Sequence, residues 1–342
     1  MILVTGGTGI LGSRLLFDLV SKGIDVRCLS RNNKHSIVEK TFRNNAPDNY
    51  DSLLKKIEWV KGDVTDVISL EDAMQGISKV YHCAGFVSFY PSDYKMMMKI
   101  NVEGTENIVN LSLEKGIEKL VHVSSIAAIG RLKQNETINE ETHWKISSAN
   151  TGYAISKYGA EREVWRGIEE GLNAVIVNPA VIIGPGDWNT NTPAMFNLVW
   201  KGLNFYTEGI TAFVDARDVS KAMINLMESN IKNERYILAS ENISFKEFFD
   251  SIADNFHKHH AKIKIGTTLA AIAWRMLALK GFLINSRPMI TKETAIASIS
   301  RYYYSNDKIK KVIGLEFIPL KKSIEDVCKI FMEEKETMNF KN

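Results

Sequence analysis

Cysteine is scarce in this chain: Cys28, Cys83 and Cys328 are the only three in 342 residues, and they lie far apart. No pair has the spacing of a metal ligand set or of a disulfide framework, so a disulfide-stapled scaffold and a zinc ribbon are excluded, and the thiols are expected to be reduced and buried. Neither sign of charge is in excess. Against 43 Lys and Arg stand 40 Asp and Glu, a net charge of +3 that gives no reason to invoke nucleic acid or an anionic membrane surface. Long apolar runs are missing too. The apolar stretch 269–284 is interrupted by Trp274, Arg275 and Lys280 and is shorter than the ~20 residues of a membrane span. It is expected to be a helix of a substrate-binding region. There is no internal repeat or low-complexity tract. The one histidine-rich group, His257-Lys258-His259-His260, follows a helix ending near Phe256 and reads as a solvated basic helix end, so no metal is expected. The first strand begins at residue 2, which leaves no room for a signal peptide, and the expected location is cytoplasmic.

What is present begins at the amino terminus. Ile2-Leu3-Val4 is a short apolar run that stops at Thr5-Gly6-Gly7-Thr8-Gly9-Ile10-Leu11-Gly12, after which Ile10, Leu11, Leu15, Leu16, Leu19 and Val20 recur at helical spacing. Strand, tight turn and helix are therefore expected in that order. Glycines at 6, 9 and 12 suit a turn with unusual backbone angles, close approach to a pyrophosphate, and close packing of helix on strand. The pyrophosphate of a dinucleotide then sits on the helix N-terminus, where free N–H groups and the positive dipole end face it. A second strand, 25–30, ends at Arg31. An acidic residue there binds the 2′-hydroxyl of NAD, whereas a basic one accommodates the 2′-phosphate of NADP, so Arg31 favours NADP(H) over NAD(H).

Strand and helix patterns alternate through the first two thirds, as in a parallel sheet covered by helices on both faces. Candidate strands end at Gly62-Asp63-Val64, suited to lie beside an adenine; at Cys83-Ala84-Gly85, where bulk would meet the cofactor; at Ser124-Ser125; and at Asn178-Pro179. Beyond about Gly184 the rhythm changes, and 213–219 is expected to return to the main domain and start a helix.

Tyr153 and Lys157 are four apart, so on a helix they share a face. Lowering a tyrosine by three units from ~10 takes about 4 kcal/mol. An ammonium ~4 Å away supplies about that much at an effective dielectric of ~20, against about 1 kcal/mol in water. The pair is thus an acid–base unit only in a closed cleft, with Tyr153 giving a proton to a carbonyl oxygen as hydride arrives, and Lys157 also placed to hold ribose hydroxyls. Ser125 is the candidate to bond the substrate carbonyl, with Ser124 the alternative. The plainer reading of these serines is a turn or N-cap before Ile126-Ala127-Ala128.

Together these residues, with Asn101-Val102-Glu103-Gly104-Thr105, Gly184-Pro185-Gly186-Asp187-Trp188 and Phe213-Val214-Asp215-Ala216-Arg217-Asp218-Val219, resemble the extended short-chain dehydrogenase/reductase family in its dihydroflavonol-reductase and 3β-hydroxysteroid-dehydrogenase-like branch. The resemblance covers nearly the whole chain. It implies an α/β fold: a Rossmann-type doubly wound parallel sheet in 1–183, with 211–235 returning to it, and a smaller interleaved C-terminal substrate domain in 184–342. By position it implies a catalytic set of Ser125, Tyr153 and Lys157. Cofactor contacts are implied at Gly6, Thr8, Gly9, Ile10, Leu11, Arg31, Asp63, Val64, Ala84, Gly85, Tyr153 and Lys157, with Pro179 and Val181 flanking the nicotinamide. An apolar substrate pocket is implied along Phe86, Val87, Ser88, Phe89 and Tyr90 with Trp188 and Phe213, core packing being the rival reading of the aromatics. It also implies a homodimer built on the Tyr153 helix. The long polar segment 131–152 departs from a compact serine-to-tyrosine connection and bears on how close Ser125 lies to the substrate. The leading expectation is reduction of a ketone, or oxidation of a secondary alcohol, on an apolar or aromatic small molecule. A nucleotide-sugar epimerase or dehydratase with tightly bound NAD is the alternative, and a non-catalytic NADP sensor is a third.

Overall fold

The structure, a computed structural model, describes residues 1–32, 35–131, 136–147, 150–266, 269, 274–275 and 291–339. Apart from Leu269, Trp274 and Arg275, the stretch 269–284 expected to form a substrate-region helix lies outside the described residues.

Fourteen strands are formed by the described residues: β1 (Ile2–Thr5), β2 (Val26–Ser30), β3 (Ile57–Lys61), β4 (Lys79–His82), β5 (Lys119–Val123), β6 (Thr137–Ile138), β7 (Ala174–Pro179), β8 (Val181–Ile183), β9 (Phe205–Tyr206), β10 (Ile210–Asp215), β11 (Glu234–Leu238), β12 (Glu241–Ser244), β13 (Ile263–Lys264) and β14 (Tyr303–Tyr304). Seven make one parallel sheet in the order β11-β7-β5-β4-β1-β2-β3. The chain runs outward from β1 to β3 and then restarts on the other side of β1 with β4, so strand order reverses between β1 and β4. Ligands bind outside the carboxyl ends of strands at such a reversal.

The helices Ile10–Ser21, Ser36–Asn45 and Ala216–Glu228 cover one face, and Val67–Ala73, Gly104–Glu114 and Gly152–Glu169 cover the other. Leu15, Leu16 and Leu19 of the first helix are fully buried with Val4, Val121 and Val219. Each such side chain contributes about 1.5–3 kcal/mol relative to an exposed one. Leu3, Val80, Leu120 and Ile176 point to the opposite face and pack on Ile108, Val109 and Val164. Apolar residues thus alternate faces along strands that are buried on both sides. Lys119, almost wholly buried at the start of β5, donates to Leu226 O at 2.6 Å and Ser229 O at 2.8 Å, so a cation closes the end of the helix Ala216–Glu228.

A second, smaller sheet, β12-β10-β8, carries its own cluster under the helices Asn191–Trp200, Phe245–Asn255 and Leu320–Asn339. The expected return to the main domain takes a particular form. Strand β10 pairs with β8 and β12 rather than with the main sheet; the return is made by the helix Ala216–Glu228, which packs on Ile10–Ser21, and by β11, the outer strand beside β7. An apolar strand pattern does not state which sheet it joins, and here the partners are short strands from either side in sequence.

Candidate active site

Gly6 follows β1 with φ at +69°, and a Cβ there would lie 2.5 Å from Ala84 N and from the Cys83 carbonyl carbon. The turn therefore runs directly against the end of β4, where Cys83 N and Ala84 N bond the Thr5 carbonyl and hydroxyl. A Cβ on Gly12 would fall 2.2 Å from Gly6 O, which holds the helix against the turn. Gly9 is different: it is exposed, and its Cβ would meet only Gly6 O at 3.6 Å. It caps the helix Ile10–Ser21 in extended conformation with no side-chain cap and no acidic residue in the first turn. A helix N-terminus left open in this way fits an anionic group, and the strands on either side end in residues small enough to let one approach. The loop after β8 comes over the turn, with Gly184 and Gly186 packed on Ile10.

Of the expected cofactor residues, Thr8 and Ile10 are half-buried at this turn, and Arg31 is exposed at the end of β2 with no ion pair among the described residues. Asp63 Oδ1 accepts from Thr65 N and Oγ1, both at 2.9 Å, which fixes the loop after β3. Two side chains are turned inward. Leu11 is buried in the core beneath the sheet, and Val64 is buried against Gly104, so either can meet a ligand through its backbone alone. Pro179 is buried at the end of β7, and Val181, half-buried, opens β8.

Tyr153 stands in the first turn of the helix Gly152–Glu169. The start of that helix is set by Thr151, whose hydroxyl accepts from Ala154 N at 3.1 Å, and by Glu293, which accepts from Gly152 N at 3.1 Å. Buried positions 154, 157, 160, 161, 164, 167 and 168 define one face, and Lys157 lies on it. The Ser125 side chain is near enough to the Tyr153 phenol to act on its proton, and its hydroxyl also accepts from Ala127 N at 3.1 Å, so it caps the short helix Ile126–Ala128 and faces the tyrosine at once. Ser124 is occupied elsewhere, donating to Glu161 at 2.7 Å. Of the two serines, Ser125 is the one brought to Tyr153.

Burial raises the Tyr153 phenol above its ordinary value, and the neighbouring Ser125 hydroxyl works against that rise. Burial pushes Lys157 down to about 8, with the Glu161 charge opposing it. The expected lowering of Tyr153 by Lys157 is replaced by a different arrangement: Lys157 Nζ donates to Val123 O at 2.8 Å, beneath the end of β5. A Cβ on Gly85 would lie 3.7 Å from Nζ, so the exposed Gly85 borders the lysine.

Beside Gly85, Asn101 clamps the next loop. Its Oδ1 accepts from Phe86 N at 2.7 Å and its Nδ2 donates to Phe86 O at 3.0 Å and to Ser156 Oγ at 2.9 Å. It sits in the π-helical segment Met98–Glu103, a distortion often found at functional sites. The Asn101 run figured in the sequence only as part of a motif; its clamping role had no local signal. In the substrate loop Val87 is exposed, Phe86 is half-buried, and Phe89 meets Tyr153 edge-on at 5.9 Å.

Three expected pocket residues are corrected. Ser88 is buried and donates to Asp93 at 2.7 Å, shaping the loop. Phe213 is fully buried and stacked on Phe248 at 4.4 Å. Trp188 packs edge-on against Phe331 at 4.8 Å, with Nε1 donating to Glu334 at 2.8 Å. Phe213 thus packs on the helix Phe245–Asn255 and Trp188 on the helix Leu320–Asn339, with Lys40 Nζ 4.2 Å over the Trp188 ring, and both belong to the core cluster of the smaller region. Of the histidine-rich group, His259 reaches Asn204 and His260 reaches Asp254.

Two histidines lie beneath the site. His82 bonds Thr5 Oγ1 at 2.7 Å and Thr105 Oγ1 at 2.9 Å; His122, its ring 5.1 Å from that of His82, has no hydrogen-bond partner on either nitrogen among the described residues, and both are fully buried. Burial, and next to it the charge of Lys157, lowers His82 to about 3; burial, then His82 and Lys157, lowers His122 well below its ordinary value. The unfolded chain therefore binds more protons than the folded one once the pH drops below ~6.5. Each ring then removes about 1.4 kcal/mol of stability per pH unit until its folded value is reached. The urea midpoint is expected to fall from pH 7 to pH 4.5, and to fall less in His122→Leu; a midpoint that stays level in the wild type would contradict this account.

A parallel α/β sheet with a glycine turn at its strand-order reversal, and a Ser, Tyr and Lys at the same carboxyl edge, defines an NAD(P)-dependent oxidoreductase of the extended short-chain dehydrogenase/reductase type. The model of the NAD-dependent epimerase/dehydratase family matches residues 2–239, and the chain belongs to that family. It is 29% identical over 339 residues to a putative dihydroflavonol 4-reductase of Synechocystis, covering 96% of this chain and 93% of that one. It is 25% identical to cinnamoyl-CoA reductase 1 of Petunia hybrida, covering 98% and 92%. Among solved structures, that of gox2253 superposes with a TM-score of 0.80 at 29% identity over 98% of both chains. Among the described residues, no helix is long and apolar enough to cross a membrane.

Proposed function

We propose that the chain is an NADPH-preferring carbonyl reductase acting on a ketone or aldehyde of an apolar or aromatic small molecule. The observation that carries this reading is the juxtaposition of the Ser125 hydroxyl and the Tyr153 phenol at the sheet edge, with Lys157 beneath and the small residues Ala84 and Gly85 alongside. Two hydroxyls converging on one point can bind one carbonyl oxygen. The Gly6–Gly9 turn and the open helix N-terminus are the residues that would hold a pyrophosphate. A bound nicotinamide dinucleotide supplies the hydride. Ser125 bonds and orients the carbonyl oxygen, Tyr153 gives it a proton, and Lys157, cationic at neutral pH, lies where ribose hydroxyls would pass Gly85. A phenol that burial keeps protonated is in the state a proton donor needs. Phe86, Val87 and Phe89 would offer the apolar wall. The reductase names of the two relatives support this direction.

Arg31 is assigned to the 2′-phosphate, being exposed and free of a carboxylate partner among the described residues. A charge-assisted hydrogen bond contributes about 1.5–3 kcal/mol, roughly 10- to 100-fold in affinity. Arg31→Asp is therefore expected to weaken NADPH binding by that factor and leave NADH binding nearly unchanged, as read by fluorescence titration. The reading as a whole is tested by titrating NADPH and NADH and screening aromatic ketones and aldehydes for NADPH oxidation. Tight, exchangeable NADPH with turnover is the expected result. Co-purifying NAD that does not exchange would overturn it in favour of an epimerase-type cycle.

A further inference from the structure

We propose that Glu161 is a positioning residue of this site, holding Ser125 in register through the ends of β5 and β7 and placing a negative charge behind Lys157. The inference rests on the roles given above to Ser125, Tyr153 and Lys157. Glu161 lies four residues after Lys157 on the same helix face, and its side chain is 2% exposed. Its carboxylate is surrounded by donors from three other directions. Oε2 accepts from Ser124 Oγ and Asn178 Nδ2, each at 2.7 Å, and Oε1 accepts from Arg235 Nη1 at 3.0 Å and Trp165 Nε1 at 3.3 Å. The guanidinium and three neutral donors occupy both oxygens of the buried carboxylate, which pairs with Arg235.

The partners lead to the reacting edge. Ser124 directly precedes Ser125, and the Asn178 amide that donates to Glu161 also donates to Ser125 O at 3.0 Å. The Ser125 backbone is thus fixed from the residue before it and at its own carbonyl, and both ties end on Glu161. Arg235, at the other end of the network, is anchored by the Glu140 carbonyl. Stability alone is a weak reason for such a buried pair, because apolar residues of similar volume often serve a fold as well. Around Lys157 the other ionisable groups are His82 of β4 and Cys83 just after it, His122 of β5 and Tyr153 of its own helix. Burial keeps both histidines neutral and the Cys83 thiol protonated, so the Glu161 carboxylate is the charge that favours the ammonium.

The test is an NMR titration of the whole protein labelled at lysine Cε, with the Lys157 signal identified by its absence in Lys157→Met. Glu161→Gln is expected to lower the proton affinity of Lys157 by about tenfold or more, with Glu161→Asp recovering part of it. Where Glu161→Gln does not fold, Arg235→Gln leaves the carboxylate in place and uncompensated, and the affinity is expected to rise. A Lys157 midpoint that does not move in the folded variant overturns the proposal. With cinnamaldehyde as the probe, kcat in Glu161→Gln is expected to fall ~10-fold or more while the NADPH dissociation constant is unchanged; an unchanged kcat overturns the positioning of Ser125. The titration needs no turnover, so it can fail while the carbonyl-reductase reading stands, and the reverse.

Discussion

Tyr153→Phe is expected to lower turnover of a carbonyl probe by ~10²–10⁴-fold while NADPH binds as it does to the wild type. The substitution removes one hydroxyl and little else. The ring keeps its edge contact with Phe89, and the start of the helix is set by the Thr151 hydroxyl and by Glu293 at Gly152 N, neither of which involves the phenol. Lys157 keeps its own bond to Val123 O, so the lysine that would face the cofactor ribose stays where it is. What is lost is the proton donor and one of the two hydroxyls at the carbonyl oxygen. Ser125 alone can still orient that oxygen, which is why some turnover above the uncatalysed reaction is expected to persist. The measurement is NADPH oxidation at saturating cofactor, alongside a fluorescence titration of NADPH and a thermal melt of the same preparation. Full turnover with intact binding would remove Tyr153 from the chemistry and require another proton donor. Loss of binding together with turnover would point to a cofactor contact rather than an acid.

How far the site could be read from the chain depended on the range over which each signal acts. The glycine turn, the Tyr153/Lys157 spacing and the small residues closing β4 are local patterns, and each lies where its spacing places it. The allocation of β10 to the smaller sheet was not legible, because an apolar run such as Phe213-Val214 has the same pattern whichever sheet receives it. Trp188 and Phe213 were assigned to a pocket on their type, but residues from beyond position 244 cover them, and that contact has no trace near either aromatic. Glu161 shows the limit most clearly. On the helix it is one charged residue among several, and it becomes a hub only when positions 124, 178 and 235 are brought together by strands separated in sequence by more than fifty residues. A buried polar network specified by three long-range contacts leaves no periodicity to read.

Gly6→Ala is expected to destabilise the protein and abolish tight cofactor binding together, whereas Gly9→Ala is expected to remove binding and leave stability nearly intact. At Gly6 the backbone lies at φ +69°, a conformation that costs an L-residue about 1–2 kcal/mol, and the added Cβ would stand 2.5 Å from Ala84 N and the Cys83 carbonyl carbon. Those atoms belong to backbone bonded to Thr5, so they cannot rotate aside. Forcing the two strand ends apart adds about 1–3 kcal/mol of overpacking, for a total loss of roughly 2–5 kcal/mol. At Gly9 the backbone is ordinary, with φ −85°, and the nearest atom to an added Cβ is Gly6 O at 3.6 Å. A methyl group fits there as far as the protein is concerned, and replacing glycine at an N-cap costs on the order of 1 kcal/mol. It occupies the space in front of the open helix N-terminus, which is where a pyrophosphate would approach the backbone. Urea unfolding and NADPH titration of the two variants side by side separate the roles. If Gly9→Ala bound NADPH with wild-type affinity, the dinucleotide would have to be held elsewhere, and the turn would be a packing device only.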